Sequence, residues 1–184
     1  AGGNVGGNQY TQGSFISIDY DKFINGDKNF LLIEKPGERE SIALVSNTKD
    51  FLLVNRLNNV KGELYKYKLK DNKWIGQKIN APDYGTIDII STEDFSNKFF
   101  FSFTNFLTPT SLYLYSTDGD ITGIKSLPGF FDADNFEVKQ YEAFFFFFTK
   151  ITYFIIHSEN IKYDGSNPTL QYGYGGFEAS MQPY

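Results

Sequence analysis

The chain has 184 residues, of which 41% are hydrophobic and 18% aromatic, and its formal net charge at pH 7 is −5. This length and composition are typical of a globular protein with a sizeable core rather than of a disordered chain. The acidic balance argues against nucleic acid as a main partner, because phosphate binding needs clustered Lys and Arg. Cysteine is absent, which excludes disulfides, thiolate metal sites and a cysteine nucleophile.

The sequence lacks any run of about 18 or more apolar residues, so we predict no transmembrane helix and no membrane partner. The first ten residues contain no Met, no basic start and no apolar signal core. We therefore expect an internal piece of a longer protein. The lack of cysteine fits a cytoplasmic location, while a periplasmic or secreted one stays open.

Short β-rich segments recur through the first two thirds of the chain, and helical periodicity is almost absent. Turns rich in Gly, Asn, Asp and Pro separate these segments, as in sandwiches, barrels and propellers. The sequence therefore predicts a mainly β fold. The predicted strands are 15–20, 30–34, 41–46, 51–57, 63–69, 74–79, 86–91, 99–105, 112–116 and 121–127.

The strand pattern repeats weakly when the chain is shifted by 48 residues against itself. Segment 51–67 then aligns with segment 99–115, so that Phe51 falls on Phe99. Each repeat holds about four strands, which is the size of one propeller blade. Chance similarity between Phe- and Tyr-rich strands is the alternative, but four strands per repeat favour a partial β-propeller over a sandwich.

The pattern breaks within 126–135, where Pro128 and Gly129 interrupt the strands, and we place a domain boundary close to residue 130. Beyond it, 136–143 and 144–157 have the composition of strands. The second is almost continuously apolar, as expected for a sheet covered on both faces in an α/β fold.

The sequence does not contain a complete set of residues for nucleophilic catalysis. No serine lies in a Gly-x-Ser-x-Gly elbow, since Ser166 follows Gly165 but precedes Asn167 and Pro168. His157 is the only histidine and ends an apolar strand. A Ser-His-Asp triad is therefore excluded within the chain, and we interpret His157 as a structural residue.

Metal binding has equally little support. Segment 19–28 is rich in Asp, but Phe23 and Ile24 interrupt it and it lacks the terminal acidic ligand of a calcium loop. One histidine and scattered carboxylates give no recognisable ligand spacing. We predict neither a metal nor a cofactor, and we interpret 19–28, 117–120 and 132–135 as turns.

A glycine-rich segment, Leu-Gln-Tyr-Gly-Tyr-Gly-Gly-Phe, occupies 170–177. Gly173 and Gly175 begin a dinucleotide fingerprint, but Glu178 replaces its third glycine and no P-loop lysine follows. The segment is therefore not a phosphate cradle. From the residues alone, its aromatic side chains either simply pack, or one tyrosine on a glycine turn donates a hydrogen bond to an oxyanion.

The longer segment 163–184, YDGSNPTLQYGYGGFEASMQPY, closely resembles the prolyl oligopeptidase family of serine peptidases. The matching pattern is Asp-Gly-Ser-x-Pro, then Tyr-Gly-Tyr-Gly-Gly-Phe, then a proline and an aromatic residue. Segments 13–23, 51–67, 104–115 and 126–143 are also similar to that family. The resemblance thus covers nearly the whole chain.

This resemblance implies that 1–130 forms the C-terminal blades of a β-propeller and that 131–184 begins an α/β-hydrolase peptidase domain. In the family, the propeller caps the active site and short peptides are cleaved after proline. The implied parent is a monomeric serine-type endopeptidase that acts on short peptides. Alternatives are an oligopeptidase B-like enzyme specific for basic residues and a non-catalytic propeller that binds a partner protein.

The resemblance also implies site residues. The second tyrosine of the family motif, Tyr174 here, donates its hydroxyl to the oxyanion hole, and the following phenylalanine, Phe177, lines the proline-binding S1 pocket. Gly173, Gly175 and Gly176 are the turn glycines. In the family the Ser, Asp and His of the triad follow this motif, and none of them lies in this chain. We expect the chain alone to be inactive and, with unpaired sheet edges, poorly soluble.

One departure concerns the five consecutive phenylalanines 144–148, which replace a polar hairpin turn of the family. Phenylalanine lacks the preference for positive φ that tight hairpin turns require. Such a run would also aggregate if it were exposed. We expect a local sequence error in a homopolymer tract, with a genuine hydrophobic insertion as the alternative.

Overall fold

The computed structural model describes residues 2–146, 149–177 and 181–184. Each of the ten predicted segments contains an observed strand. The elements are β1 (Gly3–Val5), β2 (Asn8–Tyr10), β3 (Phe15–Ser17), α1 (Tyr20–Ile24), β4 (Leu31–Glu34), β5 (Glu40–Asn47), β6 (Leu52–Asn58), β7 (Lys61–Lys70), β8 (Lys73–Lys78), β9 (Thr86–Thr92), β10 (Phe99–Thr104), β11 (Ser111–Tyr115), β12 (Ile121–Ser126), β13 (Phe136–Phe145) and β14 (Thr149–Ser158).

Two four-stranded antiparallel sheets dominate the fold. In each sheet the strands lie side by side in chain order, as β5-β6-β7-β8 and as β12-β11-β10-β9. Shorter two-stranded sheets pair β1 with β2 and β3 with β4. Four sequential antiparallel strands are the layout of a propeller blade. The prediction of a mainly β fold with blade-like sheets is confirmed.

The 48-residue repeat corresponds to real structural equivalence. It superimposes the second and third strands of one sheet on those of the other, since β6 pairs with β7 and β10 with β11. Leu52 lies opposite Tyr67 in the first sheet, and Phe99 lies opposite Tyr115 in the second. Tyr67 and Tyr115 therefore both lie on the third strand of their sheet, whereas the second strands are offset by one residue, because the shift places Phe51 rather than Leu52 on Phe99.

Tight turns connect the strands of the first sheet. Asn59 and Val60 have φ angles of 47° and 62°, and Asp71 and Asn72 have φ angles of 50° and 57°. Two consecutive residues with positive φ are the signature of the type I′ hairpin, whose twist matches that of the flanking strands. Asn and Asp tolerate this conformation readily, whereas a β-branched residue such as Val60 rarely adopts it.

The main core lies between the two four-stranded sheets. It is formed by the buried side chains of Leu53, Leu64, Ile79, Ile87, Phe99, Phe101, Phe103 and Tyr115. The rings of Phe99 and Tyr115 stack with centroids 4.8 Å apart, and those of Phe101 and Tyr113 stack at 5.2 Å. Each fully buried side chain of this size contributes roughly 1.5–3 kcal/mol, so this interface is the main source of stability.

The region after residue 130 contains only part of the expected fold. Its described part contains one antiparallel hairpin, in which β13 pairs with β14, followed by a segment without regular secondary structure. No start of an α/β-hydrolase domain is evident there, because a parallel sheet needs a crossover helix and none lies within 131–146, 149–177 or 181–184. The domain boundary near residue 130 stays a prediction.

The phenylalanine run does not prevent a hairpin. Phe144 and Phe145 pair with Lys150 and Thr149 as the last residues of β13, so the chain reverses just beyond them. Phe147 and Phe148 lie outside the described residues. The described phenylalanines therefore extend β13, and the expectation that the run disfavours a tight turn stays a prediction, because it falls on Phe147 and Phe148. A sequence error in the tract stays a prediction.

Two of the three predicted turns are observed, and the third segment contains a short helix. Segment 19–28 is not simply a turn, because it contains α1, whose N-terminus is capped by Asp19 Oδ1 accepting from the Lys22 amide at 3.0 Å. An Asp preceding a helix satisfies one of its free N–H groups, and this explains the acidic start of the segment. The other two predicted turns, 117–120 and 132–135, are observed.

Candidate active-site segment

His157 lies near the end of β14, and its imidazole ring forms hydrogen bonds with the residues that follow in the chain. Its Nδ1 lies 2.8 Å from the carbonyl oxygen of Ser158, and its Nε2 lies 3.3 Å from the hydroxyl of Tyr163. Because a carbonyl only accepts, Nδ1 carries the proton and Nε2 accepts from Tyr163 in the neutral ring. His157 is buried and engaged on both sides, in agreement with its interpretation as a structural residue.

A tight turn follows at Asp164. Its Oδ1 accepts from the Ser166 amide at 3.0 Å and from the Ser166 hydroxyl at 2.6 Å, and Gly165 has a φ of 80°. These hydrogen bonds from Ser166 hold the pKa of Asp164 below its ordinary value. The Ser166 hydroxyl donates to a carboxylate in an exposed turn rather than to a histidine, so it lacks the base that activates a nucleophile.

Tyr174 lies in the irregular segment after this turn, with 53% of its surface exposed. Within the described residues its hydroxyl has no hydrogen-bond partner, so the donor is available to a ligand. The side chain folds back over Gly176, where a Cβ atom would lie only 2.8 Å from the Tyr174 hydroxyl oxygen. The missing side chain at Gly176 therefore makes the position of the phenol possible.

The other two motif glycines have a different environment. A Cβ atom at Gly173 or Gly175 would meet no atom within 4 Å. Among the three turn glycines predicted from the sequence, only Gly176 lies where a side chain would overlap another residue, namely the Tyr174 phenol. A side chain at Gly176 would therefore displace the half-exposed phenol of Tyr174 rather than the backbone.

Phe177 has an unusual backbone. Its φ angle is 55°, in the left-handed region that bulky residues rarely adopt, and its ring is 97% exposed. Such conformations cost about 1–3 kcal/mol and often occur at functional sites. No ring contact joins Phe177 to Tyr174 among the described residues. The structure thus presents both predicted site residues to solvent but does not bring their rings together.

Two further residues were not singled out from the sequence. The Thr86 hydroxyl at the start of β9 donates to the carbonyl oxygen of Pro183 at 2.6 Å. Pro183 is fully buried, and its neighbour Tyr184 lines a cavity of about 350 Å³. Thr86 and Pro183 are far apart in the chain, and no local pattern signals their contact.

No group of three or more His, Asp or Glu side chains within the described ranges could hold a metal ion. The same part of the chain contains no helix that is long and apolar enough to cross a membrane.

The comparison with protein families identifies the propeller region. Residues 13–125 match the model described as "Prolyl oligopeptidase, N-terminal beta-propeller domain". The chain belongs to the prolyl oligopeptidase family. The two blade-like sheets, β5 to β8 and β9 to β12, lie within or at the end of the matched range, so the observed topology and the family agree.

Individual relatives support this membership. The chain is 33% identical over 154 residues to an uncharacterized peptidase of Sinorhizobium fredii, which covers 83% of this chain and 21% of that protein. It is 32% identical over 108 residues to a prolyl endopeptidase of Elizabethkingia miricola, covering 58% of this chain and 15% of that protein. The chain therefore spans only about a fifth of the length of these relatives.

Solved structures of the family share the fold. A post-proline cleaving enzyme from Rickettsia typhi matches 96% of this chain and 26% of its own with a TM-score of 0.80 at 24% identity. Prolyl oligopeptidase B from Galerina marginata, bound to a 35mer hydrolysis and macrocyclization substrate, matches 92% of this chain and 23% of its own with a TM-score of 0.75 at 26% identity. The relatives with an assigned activity are thus peptidases.

Proposed function

We propose that this prolyl oligopeptidase family chain is part of a serine endopeptidase that hydrolyses short peptides after a proline residue. Tyr174 would donate its hydroxyl to the oxyanion, and Phe177 would form a wall of the S1 pocket. The observation that carries the proposal is the Tyr174 hydroxyl, which is half exposed and lacks a hydrogen-bond partner among the described residues.

The chemistry of peptide hydrolysis matches these side chains. Attack on the peptide carbonyl places negative charge on its oxygen, and a phenol is a donor that can stabilise this charge. An exposed aromatic ring suits the flat, apolar proline ring. The attacking serine, the histidine base and its aspartate would come from the rest of the complete polypeptide, since the chain spans about a fifth of its relatives.

The two blade-like sheets suggest a role for the propeller as well. The aromatic core packs between the facing sides of these two sheets. We propose that they belong to a rigid ring that covers the active site and admits only short, unfolded peptides. In this view the propeller determines which substrates reach Tyr174.

The test uses the complete polypeptide that carries this chain and chromogenic peptides with Pro or Arg before the cleaved bond. Tyr174→Phe should lower kcat about 100- to 1000-fold, because removing one oxyanion donor costs about that much. Tyr172→Phe, an exposed tyrosine of the same segment, serves as the matched control and should leave kcat unchanged. Phe177→Ala should raise KM for the prolyl substrate.

Other outcomes would overturn the proposal. Preferred cleavage of the Arg substrate would indicate oligopeptidase B-like specificity. Cleavage of neither substrate by the complete polypeptide would favour a non-catalytic propeller that binds a partner. Hydrolysis of the prolyl substrate by the 184-residue chain alone would contradict the assignment of the triad to the rest of the polypeptide.

A further inference from the structure

The last described segment, 181–184, lies against the second four-stranded sheet. Thr86 Oγ1 donates to the Pro183 carbonyl oxygen at 2.6 Å, and the Gln182 side-chain oxygen lies 3.4 Å from the same hydroxyl. Pro183 is fully buried there. Tyr184 lines a cavity together with the loop 105–110 between β10 and β11. The segment is therefore anchored by a hydrogen bond and a buried proline.

The position of Thr86 is fixed by the neighbouring sheet. The residue before it, Gly85, accepts from the Gly62 amide at 2.8 Å, and the residue after it, Ile87, accepts from the Asn55 side-chain amide at 2.5 Å. Both donors belong to the sheet β5 to β8. Asn55 is itself buried, so this contact is shielded from water.

Close packing further restricts the backbone at this point. A Cβ atom at Gly85 would lie 2.3 Å from the Phe103 ring and 2.4 Å from the Thr104 carbonyl oxygen. Thr86 also pairs with Thr104 in the register of β9 and β10. The sheet β5 to β8 thus holds Gly85 and Ile87, the residues on either side of Thr86. Thr104 on β10, in the same sheet as Thr86, pairs with Thr86 itself.

The site segment is anchored at its other end as well. Tyr163 contacts His157 Nε2 through its hydroxyl, and the two rings meet edge to face with centroids 5.9 Å apart. Between Tyr163 and Pro183 lie Tyr174 and Phe177. No hydrogen bond joins 170–177 to another described segment, and the nearest described hydrogen bonds to other elements along the chain are those of Tyr163 before it and of 181–184 after it.

We propose that Thr86 is a positioning residue for Tyr174. By holding Pro183 on the propeller sheet, it would keep the segment that carries the phenol at a fixed distance from the blade. Oxyanion donors must be held within about 0.5 Å of their productive position, and a misplacement of about 1 Å costs about 100-fold in rate. This inference rests on the proposed function, because it assumes that Tyr174 acts in catalysis.

The test compares three variants of the complete polypeptide. Thr86→Val removes the hydroxyl while keeping the shape, and we expect kcat and kcat/KM to fall together by about tenfold, as for an interaction realised in the transition state. Thr86→Ser keeps the donor and should retain the rate. Thr122→Val, an exposed threonine on β12, is the matched control and should change nothing. If Thr86→Val does not fold, Thr86→Ala removes the hydroxyl without added bulk.

Limited proteolysis and hydrogen exchange together separate positioning from general stability. Thr86→Val should speed chymotrypsin cleavage after the aromatic residues of 170–184, while the amides of β10 and β11 stay protected from exchange. Uniformly faster exchange in the sheet would instead show a purely structural role. Unchanged cleavage within 170–184 would show that the hydrogen bond to Pro183 does not hold the segment.

A double-mutant cycle distinguishes the two proposals. If Tyr174→Phe leaves kcat unchanged, the catalytic role of Tyr174 fails. If Tyr174→Phe lowers kcat but Thr86→Val behaves like Thr122→Val, only the positioning role of Thr86 fails. If both roles hold, adding Thr86→Val to Tyr174→Phe should lower kcat no further, because the hydroxyl being positioned is already gone.

Discussion

Arg56 and Glu63 lie directly opposite each other on β6 and β7, and the guanidinium Nη2 contacts the carboxylate at 2.6 Å. The second carboxylate oxygen of Glu63 binds Lys78 Nζ at 2.8 Å. Burial alone would raise the pKa of Glu63, but the hydrogen bonds from Lys78 and Arg56 outweigh it and lower the pKa from 4.5 to about 2. Glu63 is therefore ionised in the folded chain well below the pH at which it titrates in the unfolded chain.

This depressed pKa predicts acid-sensitive stability. Because the folded pKa lies below the unfolded one, the stabilising contribution is complete above about pH 4.5 and is lost as the pH falls toward 2. The shift corresponds to about 3 kcal/mol. Glu63→Gln should lower the free energy of unfolding at pH 7 and flatten its dependence on pH in this window, as measured by urea denaturation.

The control for this experiment is Glu159→Gln, at an exposed position that forms no ion pair with Arg56 or Lys78 in the described part of the chain. It should leave both the stability and its pH dependence unchanged. Equal pH profiles of Glu63→Gln and the unmodified chain would mean that Glu63 is not the titrating group.

A second prediction concerns the close approach at Gly85. A Cβ atom there would overlap the Phe103 ring and the Thr104 backbone, and the backbone cannot yield without disturbing β10. Gly85→Ala should therefore cost about 3 kcal/mol, the upper part of the range for overpacking. Gly3→Ala is the matched control, since its Cβ would meet no atom within 4 Å. Chemical denaturation of both variants measures the difference, and equal stability would contradict the packing.

The sequence predicted these sheets well because strand information is local. Alternating apolar residues and Asn- and Asp-containing turns mark each hairpin, and the repeat pairs Tyr67 with Tyr115 at similar positions. Contacts that depend on the folded chain could not be predicted in this way. The hydrogen bond from Thr86 to Pro183 joins distant residues, and only the folded backbone shows that Gly176, rather than Gly173 or Gly175, makes room for Tyr174.

One wrong prediction has a local cause. Segment 19–28 was interpreted from its acidic residues as a turn, but Asp19 caps the short helix α1 instead. The apolar strand before His157 suggested a sheet covered on both faces. In the structure these residues lie in a two-stranded hairpin with exposed aromatic side chains, so a sheet covered on both faces stays a prediction.

The third prediction tests the core. Phe101 is fully buried between the two four-stranded sheets and stacks on Tyr113. Phe101→Ala should lower the free energy of unfolding by about 3–5 kcal/mol, as is usual when a buried phenylalanine is truncated. Phe95→Ala, at a largely exposed position, should change it by no more than about 0.5 kcal/mol. Similar urea midpoints for the two variants would contradict the assignment of the core.

The fourth prediction concerns the contact between the hairpin and the first sheet. Glu142 on β13 binds both Lys150 on β14 and Arg39 just before β5, and these partners lower its pKa. Because the side chains are partly exposed, the ion pairs should be sensitive to salt. Glu142→Gln should speed hydrogen exchange in β13 and β14 at low ionic strength.

The difference between Glu142→Gln and the unmodified chain should shrink at about 1 M salt, where the screening length is about 3 Å. Glu38→Gln, an exposed glutamate near the same sheet, is the control and should leave exchange in the hairpin unchanged. A difference that persists at high salt would point to packing rather than charge.

The last prediction concerns solubility. At the tip of the hairpin Phe144, Phe145 and Phe146 are 68%, 61% and 76% exposed. Consecutive exposed aromatic residues at the end of a β-hairpin favour association with other chains. Replacing Phe145 and Phe146 by serine should therefore raise the concentration at which light scattering from the purified chain begins. Phe95→Ser removes a still more exposed but isolated phenylalanine and should have little effect. An equal gain from both changes would show that overall surface hydrophobicity, rather than the hairpin tip, drives association.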